Sequence, residues 1–222
     1  MPDSGMFNEN IVFHSCASEG INNLVTDLYA ENATETQVIS AMYGGIDAIN
    51  TLCQQRYNPH GQRLEFVING TANCLDIREN DPIIFVENNW DRGVQNGTLG
   101  KLLNVGKPKL ETDDGEISLV DVLIDTGEII PLTVDLLDSL KLAYSISLHK
   151  AQGSQFKRIV VPLTSSSMMD NAWIYTALTR AEVQIEIVDS MKDFESAIYR
   201  FSDADTRDTY LRQLLLDELD AQ

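Results

Sequence analysis

Apolar residues in the first quarter of this chain alternate between short runs and helical stripes. Ile11-Val12-Phe13-His14 predicts a strand. Ser18 then stands at a helix-cap position ahead of Ile21, Leu24, Val25 and Leu28, which share one face at i, i+3, i+4 and i+7. Gln37 to Met42 predicts the next strand, Gly44-Gly45 breaks it, and Ile46 to Tyr57 makes a second amphipathic helix that Asn58-Pro59 ends. Strand and helix in this order predict the α/β class, a parallel sheet with right-handed crossovers.

From about Cys74 to Leu142 the pattern changes. Pro82 to Val86, Leu119 to Ile124 and Glu128 to Leu132 are short strand-like runs. Between them lie the turn-dense stretch Asn88 to Gly100, with Asn96-Gly97 as a type I′ hairpin pair, and the turn Asp125-Thr126-Gly127. Closely spaced strands with Gly turns predict a small antiparallel barrel or meander. The chain therefore divides into a discontinuous α/β domain, residues 1–73 and 143–222, and an inserted small β-barrel, residues 74–142. Ala143 to Leu148 returns to the parallel sheet, and Ile159-Val160-Val161-Pro162-Leu163 predicts a buried strand. From Ala172 to Ala181 a helix places Trp173, Ala177 and Leu178 on one face and leaves Thr179 and Arg180 at its end. In the tail, one helix carries Phe194, Ala197, Ile198 and Phe201, and a second runs from Thr206 to Leu219; both read as packing or interface helices.

Composition narrows the class. A hydrophobic share of 43% over 222 residues suits a folded protein of one or two domains. No apolar stretch is long enough for a membrane helix, and the N-terminus lacks a signal-peptide pattern. Cys16, Cys53 and Cys74 are odd in number and widely spaced, which predicts reduced thiols and a cytoplasmic setting. His14, His60 and His149 form no ligand cluster, so no structural metal is expected. The formal charge of −18 opposes nucleic-acid binding at long range. Its distribution softens this. From Ser139 to Met169 there is no Asp or Glu, and the stretch holds Lys141, His149, Lys150, Lys157 and Arg158. Either acid is kept away from a polyanion's path, or a buried strand-rich segment simply carries few charges.

The chemistry concentrates in two segments. In His149-Lys150-Ala151-Gln152-Gly153-Ser154-Gln155-Phe156, a Gly-Ser turn leaves backbone N–H groups and small hydroxyls able to approach a phosphate chain. Downstream, Tyr175-Thr176-Ala177-Leu178-Thr179-Arg180-Ala181 puts a planar, permanently charged guanidinium at a helix end, a group suited to a γ-phosphate at a domain interface. A phosphate-binding G-x-x-x-x-G-K-[ST] loop is missing from the sequence. Gly97-Thr98-Leu99-Gly100-Lys101-Leu102 has the wrong glycine spacing, and Leu where the Mg²⁺-binding hydroxyl belongs.

These two segments, in this order, resemble motifs V and VI of superfamily-one DNA helicases in their RecD-like branch, the exonuclease V alpha subunits and relatives. Gln37 to Pro59 is similar to the motif-IV-like segment, with a shorter turn that lacks the usual basic residue. The turn-dense β region resembles the small barrel inserted in the second motor domain. The resemblance implies a RecA-like sheet with that insertion, half of a motor that couples ATP hydrolysis to movement on single-stranded DNA. It makes Arg180 the catalytic arginine, and places Gln152, Gly153, Gln155 and Thr179 near ATP and its Mg²⁺. It places Ser147, His149 and Lys150 on the DNA backbone, with Asn88, Asn89 and Asn96 of the insert as further strand contacts or as turn formers. The partners it implies are single-stranded DNA, an N-terminal motor domain carrying the P-loop, and other subunits of a helicase–nuclease assembly. The chain alone is expected to be inactive. The charge of −18 and the short motif-IV-like turn favour a different reading, a non-catalytic assembly module on a helicase fold.

Overall fold

The computed structural model describes residues 5–68, 70–106, 117–163, 169–189 and 191–201. The second tail helix expected at Thr206 to Leu219 lies outside these residues. A six-stranded sheet forms the larger layer, built from β1 (Gly5–Asn8), β2 (Ile11–Ser15), β3 (Thr36–Ser40), β11 (Ser145–Ser147), β12 (Phe156–Pro162) and β13 (Ala181–Asp189). Its order is β1-β2-β13-β12-β3-β11, parallel throughout except for β1, which turns back antiparallel on β2.

The period of two in a strand explains how helices cover both faces. Val38, Val160 and Val188 point into one apolar layer, with Ile21, Val25 and Leu28 of α1 (Ile21–Glu31) and Ile49 and Cys53 of α2 (Tyr43–Tyr57). Their neighbours Ile39, Ile159, Val161 and Ile187 point into the other, with Ile174 and Ala177 of α3 (Asn171–Leu178) and Ala197 of α4 (Met191–Ile198). Cys53 lies in the first layer, where burial pushes its thiol up to about 11, so it behaves as a small core residue.

Two local expectations are corrected. Ser18 starts a short 3-10 turn, Ser18–Gly20, and makes no side-chain cap. The strand already ends at Ser40, and Gly44-Gly45 lies in the first turn of α2, which starts at Tyr43 and not at Ile46.

The connection from α2 to β11 holds the insertion. Its sheet runs β10-β6-β7-β8-β9, antiparallel, from β6 (Pro82–Phe85), β7 (Leu99–Leu103), β8 (Val120–Ile124), β9 (Ile129–Leu132) and β10 (Leu140–Leu142). The ladder is an open sheet with β9 and β10 at its edges, its β6 to β9 running as a meander, the second of the two forms expected, in place of a closed barrel. A hairpin of β4 (Arg63–Ile68) and β5 (Thr71–Arg78) joins it: Leu64, Phe66 and Ile77 share one apolar cluster with Phe85, Leu102 and Val122. The antiparallel core thus begins upstream of Cys74.

Asp81 ties the two layers together. It is fully buried, and it accepts hydrogen bonds from Gln54 Nε2 (2.6 Å), Asn58 Nδ2 (2.6 Å), the Arg78 N–H (2.7 Å) and the Tyr144 hydroxyl (2.7 Å). These donors come from α2 and its C-cap, from β5, and from the approach to β11. Asp81→Ala strands several buried donors at once, and leaving one unsatisfied costs on the order of 1–3 kcal/mol. The expected result is a loss of about 3 kcal/mol in urea unfolding, with Tyr144→Phe costing about 1 kcal/mol. An unchanged midpoint for Asp81→Ala would remove Asp81 from this role.

Candidate functional site

The His149–Phe156 segment is a strap across the sheet. β11 ends with Ser147 level with Ser40, at the carboxyl ends of the strands. β12 starts with Phe156, beyond the level where Arg158 meets Thr36, at the amino ends. Residues 148–155 therefore travel from one end of the sheet to the other, roughly 20 Å at strand rise. Leu148 and Ala151 anchor the strap in the core. The N–H groups of Lys150 and Ala151 donate to the Ser147 carbonyl at 3.0 and 3.1 Å, and that of Ser154 to the Ala151 carbonyl at 3.2 Å. Gly153 has φ +87°, which glycine adopts without steric cost, and nothing stands within 4 Å of where a Cβ would lie. A ligand can approach this backbone unobstructed.

At the amino end, α3 delivers the arginine. Asp170 caps α3 by accepting from the Trp173 N–H at 2.7 Å, and Thr179 closes its other end. The Arg180 carbonyl then accepts from the Phe156 N–H at 2.9 Å, and Phe156 pairs with Ala181. Strand pairing thus sets Gln155 and Arg180 side by side, although they are far apart in sequence. Arg180 Nε donates to the Thr176 carbonyl at 3.3 Å, the negative end of its own helix. Arg56, Arg63, Arg78, Arg92 and Arg158 each face a carboxylate. For Arg180 no such partner occurs among the described residues. Its charge is held in place with no carboxylate beside it among the described residues, a condition that suits meeting an anion.

Gln155 is exposed and lines a cleft of about 550 Å³ with Thr34 to Gln37 and Lys157. Gln152, expected beside it, lies elsewhere: with His149 and Lys150 it faces the insertion across a cleft of about 380 Å³, walled by Gln95 to Thr98 and Asp125. The strap's helical turn rotates Gln152 away from Gln155. Lys150 donates to Asn96 Oδ1, and burial lowers its ammonium below the ordinary lysine value. It also borders, with Ser147 and Lys141, a cleft of about 560 Å³ at the start of α2.

The asparagines of the insertion are engaged with their own loop, with Asp135 and with Lys150. Asn88 Oδ1 accepts from the Asn96 N–H at 2.7 Å; Asn89 donates to Asp135 at 2.9 Å and accepts from the Arg92 N–H at 3.2 Å. The Thr98 N–H donates to the Gln95 carbonyl at 3.0 Å, with Gly97 at φ +100° and Asn96 not at positive φ. That is a type II pattern, replacing the expected type I′ turn. The acid-free stretch is also less open than it reads: Lys157 pairs with Glu35 at 2.6 Å, and Arg158 with Glu186 at 3.0 Å. Among the described residues no group of three or more His, Cys, Asp or Glu side chains is placed to hold a metal ion, and no helix is long and apolar enough to cross a membrane.

Residues 142–187, which span the strap and α3, match the UvrD-like helicase C-terminal domain. The ATP-dependent RecD2 DNA helicase of Deinococcus radiodurans is 30% identical over 62% of this chain and 17% of its own length. The RecBCD enzyme subunit RecD of Buchnera aphidicola (strain Sg) is 25% identical over 73% of this chain and 26% of its own length. This chain resembles a C-terminal domain of the RecD-like superfamily-one helicases. It spans about a quarter or less of the length of these relatives. In fold, this chain is similar to Pif1 helicase from Bacteroides, solved with ADP-AlF3 and single-stranded DNA, at a TM-score of 0.53 and 16% identity over 93% of this chain and 51% of that one.

One further exposed residue stands outside these motifs. Trp90, at the tip of the insertion's turn, is 72% exposed. Neither motif nor periodicity marks it.

Proposed function

We propose that this chain is the second motor domain of an ATP-dependent RecD-like DNA helicase, coupling ATP hydrolysis to movement on single-stranded DNA. The supporting observation is the strap, which joins a basic end of the sheet (Ser147, His149, Lys150) to the end where Gln155 and Arg180 stand. A strand held at the first end shifts the strap, and with it the group beside the nucleotide.

At the nucleotide end the residues fit one face of ATP. Arg180 would meet the γ-phosphate, stabilising the charge that grows in the transition state. Gly153, Gln155 and Thr179 would border the nucleotide. Mg²⁺ and most ground-state affinity would belong to a P-loop-bearing N-terminal motor domain. Gln152 moves in this reading to the DNA side. Backbone contacts from Ser147, His149 and Lys150 position a strand without reading its sequence. Residues 63–142 would act as the inserted subdomain against which the strand runs. The setting would be cytoplasmic DNA repair and recombination, beside other helicase–nuclease subunits.

The isolated chain is expected to hydrolyse no ATP, with or without single-stranded DNA, because it offers only this face of the cleft. Steady-state turnover measured against an Arg180→Ala preparation tests this. DNA-stimulated turnover by the wild-type chain alone, absent in the variant, would overturn the half-motor reading. The assembly-module reading is favoured if the chain binds no single-stranded DNA at low salt.

A further inference from the structure

Resting on the single-stranded DNA reading above, we infer that Trp90 is a base-stacking residue, the point where the insertion grips the strand by its bases. The turn that carries it is tightly built. The Asn89 N–H and carbonyl pair with Val94 at 2.8 and 2.9 Å, the Gly93 N–H closes on the Trp90 carbonyl at 3.2 Å, and Gly93 takes φ +68°. Val94 is fully buried and roots the turn in the insertion's core. The Asn89 side chain braces the turn from both sides, towards Arg92 and Asp135. All this order displays one large aromatic side chain to solvent.

Trp90 is also linked to the strap. Asn88 accepts from the Asn96 N–H, and Asn96 in turn accepts from Lys150 Nζ. A continuous hydrogen-bonded path therefore runs from the tryptophan's turn to the strap's basic end. The local charge selects the kind of contact. Glu87 and Asp91 are exposed on either side of Trp90, and Arg92 faces Asp135, so a phosphate gains nothing here. The neutral face of a base is not repelled. Stacking is sequence-tolerant, because every base has a π-face. It supplies affinity that a chain of net charge −18 cannot draw from long-range attraction.

The test compares a labelled oligo-dT of about 16 nucleotides with an abasic strand of the same length, by fluorescence anisotropy at low salt. Trp90→Ala should weaken binding to oligo-dT about ten-fold and leave the abasic strand unaffected, and Trp90→Phe should restore most of the loss. Equal binding of oligo-dT by Trp90→Ala and wild type overturns the stacking role, and so does an equal loss on both strands. Lys150→Ala separates this from the function reading: if it weakens both strands while Trp90→Ala weakens neither, DNA binding stands and Trp90 has no part in it. If the wild-type chain binds neither strand, both readings fall.

Discussion

Replacing Arg180 by Ala, with this chain joined to a P-loop-bearing motor domain, is expected to lower ATP turnover by about 10³-fold or more, while ATP and DNA affinity change little. The guanidinium sits at the amino end of the sheet, where its carbonyl is locked to Phe156 and no carboxylate among the described residues neutralises it. In the proposed role it is positioned before the reaction starts, and its contribution would appear as charge develops on the transferred phosphate. Arg180→Lys should not rescue turnover, since an ammonium cannot present two parallel donors. Rapid-quench turnover alongside nucleotide binding checks both halves of the claim. A wild-type rate for Arg180→Ala would remove it from the nucleotide site.

The second large effect concerns the frame that holds this arginine. Arg158 and Glu186 are 5% and 3% exposed, on adjacent central strands β12 and β13, with Nη2 to Oε1 at 3.0 Å. Arg158 also donates to the Leu28 carbonyl at 2.6 Å and Glu31 at 2.9 Å, and His14 Nε2 lies 2.6 Å from Glu186. Glu186→Ala leaves the guanidinium buried with only the largely exposed Glu31 as a carboxylate partner. Removing one member of a buried pair costs about 3–5 kcal/mol. Urea unfolding should register that loss, and the double variant Arg158→Met with Glu186→Leu should recover most of it, because an apolar pair carries no desolvation penalty. A single variant as stable as wild type would mean that the pair does not hold β12 and β13 in register.

The same pair marks where the sequence is hard to read. β13 places Val183, Ile185 and Ile187 between Glu182, Gln184 and Glu186, a half-exposed pattern, yet it lies between β2 and β12 inside the sheet. Glu186 is compatible with that position because Arg158 and His14 stand beside it, and contacts so distant in sequence leave no local trace. The hairpin at 63–78 was more accessible: Leu64 and Phe66 alternate with Arg63 and Glu65, and they are the buried pair. The central strands were legible because Val38-Ile39 and Ile159-Val160-Val161 are apolar on both faces, as a covered parallel sheet requires. The place of Arg180 at the end of a helix was legible in the sequence, and the Phe156 N–H is what bonds to its carbonyl. Trp90 was not, since a solitary exposed aromatic belongs to no period. Asn88, Asn89 and Asn96 read as strand contacts or as turn formers, because their amides' partners, Asp135 and Lys150 among them, are assembled only by the fold.

Transmission of strand binding by the strap, from one end of the sheet to the nucleotide group at the other, is the step on which the proposed function depends. Its most direct test is the stimulation of ATP turnover by single-stranded DNA in the joined two-domain motor, measured for wild type and for Ser147→Ala, His149→Ala and Lys150→Ala. The expected result is clear stimulation in wild type, falling towards the DNA-free rate in the variants even at saturating DNA. Stimulation that persists undiminished in all three variants would contradict the account.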